Sequence, residues 1–488
     1  MTVDIETQEP ESTAMRFEVL SSALKESTSA AARIGRLAFP GRRPIDTPNF
    51  IAVTSRGTLP HVTPDNISKH LQVSGAYFSL EDFVEKSQQN LSRSPPIFSA
   101  PTHPTHPTPL YSFTGTPSHI TTILAARRLP AVPSPIGNST KSISIFTNTG
   151  FQNLSTTEYL SSTSTLKPDI TIPLADLTNN SPPGTSPTSK RALRMAERTD
   201  EWIVDWFSSP LSTTTSTFAP VLPVPYPIQW EYLSRLAEDY LPSAQLSGLA
   251  VHDPDIIPDL SSHQPTLLTL PLLSLSNPSN PHLILRHISL GTDLFALPLP
   301  NAASDAGIAL TFSFPAPSSS SSPPLPLGID LSLSSYSTSV TPLSPECSCY
   351  ACTKHHKAYI HHLLQAREML GWTLLQVHNH AVFSAFFAGV QESIGRGTFE
   401  EDRKGFARVY EPEMQKGVGE RPRMRGYQYK SQGGEENAGR KKNKPAWQRE
   451  LGLGGEVVGE GVQTLVEVME GDGREEVEGR GVGVVVRE

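Results

Sequence analysis

All three cysteines of this 488-residue chain, Cys347, Cys349 and Cys352, stand within six residues. That clustering limits what the surrounding segment can fold into. A Cys-x-Cys-x-x-Cys hairpin can aim three thiolates at one ion, and structural zinc sites commonly close with three thiolates and an imidazole. His378, 26 positions beyond Cys352 on a segment of helical periodicity, can supply the fourth ligand. His355, His356, His361, His362 and His380 are nearby alternatives. Core cysteines are often buried, but scattered core residues would not gather in this way. A disulfide framework needs paired cysteines and an oxidising compartment, and an odd count without a signal peptide argues against one. Metal ligation is the expected role.

The first residues, Met1–Phe17, are polar and acidic, unlike a secretory signal or a basic transit peptide. No apolar run reaches the roughly 18–20 residues of a membrane span. The expectation is a soluble protein of a reducing, intracellular compartment. A net charge of -8 gives no general attraction to nucleic acid, so RNA contact needs a local basic patch or a partner. Arg191, Arg194 and Arg198 could form such a patch on one helix face, although a solvated face explains them better. Many of the 45 prolines, with Ser and Thr, interrupt the folded pattern. Residues 92–109, 179–190, 276–281 and 315–326 read as surface insertions that need not pack. Residues 1–15 are expected to be flexible. From 417 to 488 the chain is rich in Gly, Glu, Lys and Arg and is expected to be disordered, with a basic run at Arg440–Lys444.

Between the insertions, strand and helix signals alternate. Phe17–Leu37 opens with short apolar alternation, and Ile51–Val53 reads as a buried strand. Ser142–Phe146, Asp169–Leu174, Phe218–Val224 and Leu246–Val251 read as strands, as do stretches within Thr266–Leu275 and Asp293–Leu299. Helices are predicted over Thr157–Leu166, Lys190–Phe207, Gln229–Tyr240 and His282–Leu290. Such alternation implies parallel β/α units, and their number predicts an α/β fold, a (β/α)8 TIM-type barrel. Lys357–Val377 shows one apolar stripe through Tyr359, Leu363, Ala366, Leu370, Leu374 and Val377. A second helix follows, with Phe383, Phe386, Phe387, Val390 and Ile394 on its face and a stop at Gly397.

The string Pro345–Cys352, then Ala358–Leu364, Glu368–Gly371 and Val377–Asn379, resembles the zinc subdomain of the tRNA-guanine transglycosylase family. The family pattern runs C-x-C-x-x-C, A-Y-[LI]-H-H-L, E-[MIL]-L-G, H-N. In that register His378-Asn379 is the H-N pair, which selects His378 as the fourth zinc ligand. The resemblance covers, more thinly, Phe17 to Tyr410. It implies a barrel over residues 16–410 with a zinc subdomain at about 341–399 and one structural Zn2+ on Cys347, Cys349, Cys352 and His378.

The family exchanges a base at the tRNA wobble position through an aspartate nucleophile, a carboxylate that can form and release a glycosyl ester. Its motif is similar to Gly291–Ala302 here, and Gly291, Asp293, Phe295 and Pro300 set a register that puts Ala296 at the nucleophile's position and Ala302 at an arginine's. A methyl group cannot attack an anomeric carbon. The only string like the family's D-S-G-G-F-Q is Thr147–Gln152, which is taken as a chance likeness. Ser247–Val251 is similar to a family strand, whereas Val221–Pro225 lacks the expected Gln-Gly, and the base-binding aspartate falls on Ala175, or on Asp176 after a one-residue slip. The chain thus resembles the family's non-catalytic, accessory branch. That resemblance implies heterodimerisation with the catalytic subunit of queuine tRNA-ribosyltransferase and contact with tRNA. It also implies a cytoplasmic location, with possible association at the mitochondrial outer surface known in the family. Two other readings stay open: an active enzyme with a relocated nucleophile such as Asp293 or Asp305, and a zinc-stapled RNA-binding scaffold.

Overall fold

Eight short parallel strands close into a barrel in the computed structural model. The structure describes residues 15–22, 31–84, 95–134, 137–177, 187–317 and 323–422, excepting 105, 107 and 148–149. Strands β1 (Arg16–Ser22), β2 (Arg33–Ala38) and β3 (Ile45–Thr47) form an antiparallel sheet ahead of the barrel. The barrel comprises β4 (Asn49–Val53), β5 (Gly75–Ser79), β6 (Thr121–Ala125), β9 (Ile170–Thr171), β10 (Ser216–Val221), β11 (Leu246–Val251), β12 (Leu272–Ser274) and β13 (Leu294–Leu297). An antiparallel hairpin, β7 (Ser142–Thr147) and β8 (Gly150–Ser155), lies between β6 and β9, and a second pair, β14 (Ile308–Leu310) and β15 (Gly328–Asp330), follows the barrel.

Barrel strands are covered on both sides, which is why they read as nearly unbroken apolar runs. Successive side chains alternate between lumen and helix layer. Ile51, Val53, Tyr77, Ile123, Ala125, Phe218, Ala250, Leu273, Leu294 and Ala296 pack together inside, while Phe50, Phe78, Leu124, Leu249 and Phe295 join the outer core. Leu37 and Ile45 of the preceding sheet pack into the lumen cluster from the amino-terminal end. At that end Arg33 also grips Asp293, with Nε donating at 2.9 Å and Nη2 at 2.5 Å, and Asp293 is fully buried.

Three expectations change. Ser142–Phe146 is a strand but stands outside the barrel: its hairpin lies at the carboxyl ends of the strands, where the Phe146 N–H donates to Glu81 and the Ser144 carbonyl accepts from Arg127. Period-two alternation marks any half-buried strand and does not say which sheet it joins. The segment expected as one helix over Lys357–Val377 is two, Lys357–Gln365 and Met369–Arg396, broken where Arg367 takes φ 59. The second runs unbroken through Phe383 and Ile394, so no boundary lies near 377, and it ends at left-handed Gly397 (φ 75) as predicted. Steps of three and four persist across the break and hide it from periodicity. Within the expected insertion at 92–109, Ile97 is buried. Residues 1–14, 178–186, 318–322 and 423–488, which hold much of the other insertions and the tail, lie outside the described residues. Residues 417–422, within the expected tail, are described, and the Val418 N–H donates to Asp330 at 2.8 Å.

The long helix joins two regions. Its amino-terminal half belongs to a small core with Leu331, Leu343, Ala351, Ile360, Leu363 and Trp372. Its middle presses on the barrel wall, where Phe387 contacts Phe50 and Phe295 with ring centres 5.8 and 5.9 Å apart. Gly389 permits this approach, because a Cβ there would fall 1.9 Å from the Phe314 carbonyl oxygen.

Candidate metal centre and barrel mouth

Cys349 caps the short helix Tyr350–Lys354, its Sγ accepting from the Cys352 N–H at 3.4 Å, and this turn folds the three sulfurs toward one point. His378 arrives from the long helix. Its Nδ1 lies 3.7 Å from Cys347 Sγ, 3.6 Å from Cys349 Sγ and 3.3 Å from Cys352 Sγ. All four donor atoms fall within 4.8 Å of one another, a grouping that can hold a metal ion. Nε2 sits 2.8 Å from the Leu310 carbonyl, so in the neutral ring it carries the proton and leaves the Nδ1 lone pair facing the sulfurs. Asn379 holds the same strand: its Oδ1 accepts from Leu310 N–H, and its Nδ2 donates to Ser304 Oγ and to the Ile308 carbonyl, each at 2.9 Å.

Burial would lower the His378 imidazole, but hydrogen bonds with Cys347 and Cys352 outweigh it and raise it to about 9. Hydrogen bonds from Cys349 and then Cys352 hold the Cys347 thiol well below its ordinary range. Hydrogen bonds with Cys347 and then Cys352 push the Cys349 thiol up. Thiolate and neutral imidazole are the ligating forms, so a bound metal would displace protons from Cys349 and His378. The other histidines stand apart from the three sulfurs, His362 being exposed. His356 caps Lys357–Gln365, His361 faces the Leu331 carbonyl at 2.7 Å, His355 stacks on Tyr359, and His380 packs near Phe50.

The carboxyl ends of the barrel strands surround a cavity of about 210 Å3. This is the face on which barrel enzymes place their chemistry. Its wall includes Tyr77, residues 125–131, Ile143, residues 172–175, Leu177, His252, Leu275 and Asn277, and no carboxylate among the described residues. Ala296 is buried in the lumen cluster, paired in register with Ile51. Ala302 is exposed on the helix Leu299–Asp305. The two aspartates weighed as relocated nucleophiles are both committed. Asp293 lies at the opposite end of the barrel on Arg33, and Asp305 meets His61 Nε2 at 2.6 Å. Thr147 ends β7 and bonds Gly150 inside the hairpin, away from the cavity wall. Ala175 lines the cavity, whereas Asp176 is fully buried and turned to Arg191, Arg198 and Asn138. That pairing corrects the expected basic patch. Arg191 and Arg198 neutralise Asp176, and only Arg194 of the three is exposed.

Sequence reasoning passed over Arg127, Arg128 and His252. The available signal was a double arginine directly after the apolar strand Thr121–Ala125. Arg128 pairs with Glu81 at 2.7 Å and Asp82 at 3.3 Å.

Together these features define a parallel α/β barrel with an added Cys3His subdomain. A family model described as queuine tRNA-ribosyltransferase matches residues 27–412. The chain is 33% identical over 411 residues to the queuine tRNA-ribosyltransferase accessory subunit 2 of Schizosaccharomyces pombe, covering 83% of this chain and 86% of that one. It is 25% identical over 409 residues to the accessory subunit 2 of Drosophila virilis, covering 78% and 90%. Against the queuine tRNA-ribosyltransferase of Dehalococcoides mccartyi it is 28% identical over 241 residues, covering 47% and 56%. The chain belongs to the queuine tRNA-ribosyltransferase family.

Proposed function

We propose that this chain is the non-catalytic subunit of a heterodimeric queuine tRNA-ribosyltransferase. It binds the catalytic subunit and helps position tRNA while that partner exchanges guanine for queuine at wobble position 34 of tRNAs with GUN anticodons, those for Asp, Asn, His and Tyr. One observation carries the reading: the cavity where a barrel enzyme of this kind would work has no carboxylate in its wall, and the residue in register with the family nucleophile is Ala296. A glycosyl-ester mechanism has no attacking group there. The relatives named as accessory subunits support the same reading.

The metal subdomain is the proposed partner-binding surface. Tyr350, Met369 and Leu370 are large apolar side chains left exposed on it, with Leu333 and Val340 exposed just before it in the chain, and exposed apolar surface of this kind marks association sites. The ion is zinc on this reading, because three thiolates and an imidazole form a closed, tetrahedral donor set that suits it. When bound, the ion staples the Cys347–Cys352 turn to the long helix. No helix among the described residues is long and apolar enough to cross a membrane. The proposed location is the cytoplasm, with association at the mitochondrial outer surface as the family resemblance implies; fractionation of tagged protein tests it. The main test is co-expression with a catalytic subunit, followed by size-exclusion chromatography and a base-exchange assay with and without this chain. A stable complex that is active only when both chains are present supports the proposal. Separate elution and an unchanged exchange rate would leave a metal-stapled scaffold as the better reading.

A further inference from the structure

We propose, resting on the metal reading of the Cys3His cluster, that residues 411–420 form a strap that holds His378, the fourth ligand, in place through the β14–β15 ribbon. Among the described residues β14 and β15 pair only with each other. Two strands alone are at best marginally stable in water, and their outer edges carry backbone groups that need partners. Here each edge is met by a different part of the chain. On the β14 side the Leu310 carbonyl accepts from His378 Nε2, the Leu310 N–H donates to Asn379 Oδ1, and the Ile308 carbonyl accepts from Asn379 Nδ2. On the β15 side stands the strap.

The strap is fastened at its root and along its length. At the root the Glu411 N–H donates to the Leu325 carbonyl at 2.9 Å, His282 Nε2 lies 2.8 Å from the Glu411 carbonyl, and Asn280 Nδ2 donates to the Pro412 carbonyl at 3.1 Å. Further along, Gln415 Oε1 accepts from the Gly328 N–H and Asp330 Oδ2 accepts from the Val418 N–H, each at 2.8 Å. Gly328 is the register partner of Leu310, and Asp330 that of Ile308. Two rows therefore run across the ribbon, one from Gln415 to His378 and one from Val418 to Asn379. The strap thus steadies, from the far side, the strand whose Leu310 carbonyl orients the ligand. A ligand histidine is aimed by the partner of its second ring nitrogen, and losing such outer partners costs about 10–100-fold in metal affinity. Gly417 lets the strap lie this close, because a Cβ there would strike the Ala306 carbonyl oxygen. Beyond it, Glu420 adds only an exposed ion pair with Arg367 at 2.6 Å, a kind of contact that is worth little.

Detaching the strap should loosen the ligand without altering any metal donor. Gly417→Ala tests this in the full-length, zinc-loaded chain, and Gln415→Ala carries the test should that variant fail to fold. Transfer of zinc to a chromophoric chelator gives the release rate, and hydrogen exchange of the same loaded chain gives the protection of the Leu310 and Gly328 amides. Each strap variant is expected to release zinc about tenfold faster, the low end of the effect of outer partners, and to lose protection at both amides. Glu420→Gln, which removes only the exposed ion pair, should change release by no more than about threefold. Ile257→Val, in the buried face of the helix Ile257–His263, should lower the urea midpoint and leave release unchanged, which separates the strap's role from a general loss of stability. Zinc held by the wild-type chain and released at the same rate by the strap variants overturns this proposal alone, as does unchanged protection of Leu310. A wild-type chain that takes up no zinc overturns the metal reading and this proposal with it.

Discussion

In the Cys3His subdomain, donor atoms from Cys347, Cys349, Cys352 and His378 converge within 4.8 Å, with Cys349 Sγ held by the Cys352 N–H and His378 Nε2 on the Leu310 carbonyl. At the barrel mouth the polar groups are just as ordered, but they are turned on one another: Arg128 on Glu81 and Asp82, Arg191 and Arg198 on Asp176. One region presents converging, like donors that need a third party. The other has closed its charges into internal pairs. The difference bears on the proposed function: a partner-shaping metal staple would need the first arrangement, and glycosyl transfer would need a free carboxylate, which the described wall of the second does not offer.

The harshest way to break this contrast is to remove a ligand. Cys349→Ser should reduce bound metal, measured by mass spectrometry, from about one equivalent to a small fraction, since structural zinc contributes about 10–16 kcal/mol of coupled folding energy. Co-elution with the catalytic subunit should fall with it. A variant that loses its metal yet forms a normal heterodimer would detach the interface from the staple.

Next in size, Asp293→Asn should destabilise the chain by about 3–5 kcal/mol in urea unfolding, because it strands the buried Arg33 charge. If Asp293 were instead a nucleophile, its loss would alter exchange activity with stability preserved. Ala296→Asp should cost about 2–3 kcal/mol even with the carboxyl protonated, as it puts a polar group among apolar lumen side chains. It should restore no exchange, because no carboxylate among the described residues lines the cavity to act in proton transfer. Recovery of activity in that variant would show the mouth to be far less altered than its charge pairing indicates.

The smallest effect concerns pH. Burial pushes the His380 imidazole down to about 4, against about 6.5 in an unfolded chain. The unfolded state therefore binds the proton first. The stability at stake is complete above pH 6.5 and is lost as pH falls from there toward 4. His380→Phe should lessen the loss of stability between pH 7 and pH 5 by about 2 kcal/mol. An unchanged pH profile would mean that His380 is more open to solvent than its packing near Phe50 shows.

The Cys3His cluster was legible because its cysteines are encoded at fixed short spacing and the family's H-N pair singles out His378 from five neighbouring histidines. The barrel was legible because strands buried on both faces leave apolar runs such as Ile51–Val53 and Leu246–Val251 between helical segments. Periodicity could not separate the β7–β8 hairpin from a barrel strand, nor show the break at Arg367, since both preserve the local pattern. The mouth was least legible. Arg127 meets Asn138 and Ser144, Arg198 meets Asp176, and Arg128 meets Glu81, pairings that only the closed barrel brings together. A basic helix face looked like an RNA patch for the same reason: Asp176, the partner of Arg191 and Arg198, lies on another element.

The claim at the centre of this account is that the chain supports base exchange without performing it. Purified chain, incubated with labelled guanine and a GUN-anticodon tRNA, tests that claim most directly when compared with the same chain mixed with a catalytic subunit. The account predicts background incorporation for the chain alone and robust incorporation for the mixture. Time-dependent labelling of the tRNA by the chain alone would contradict it.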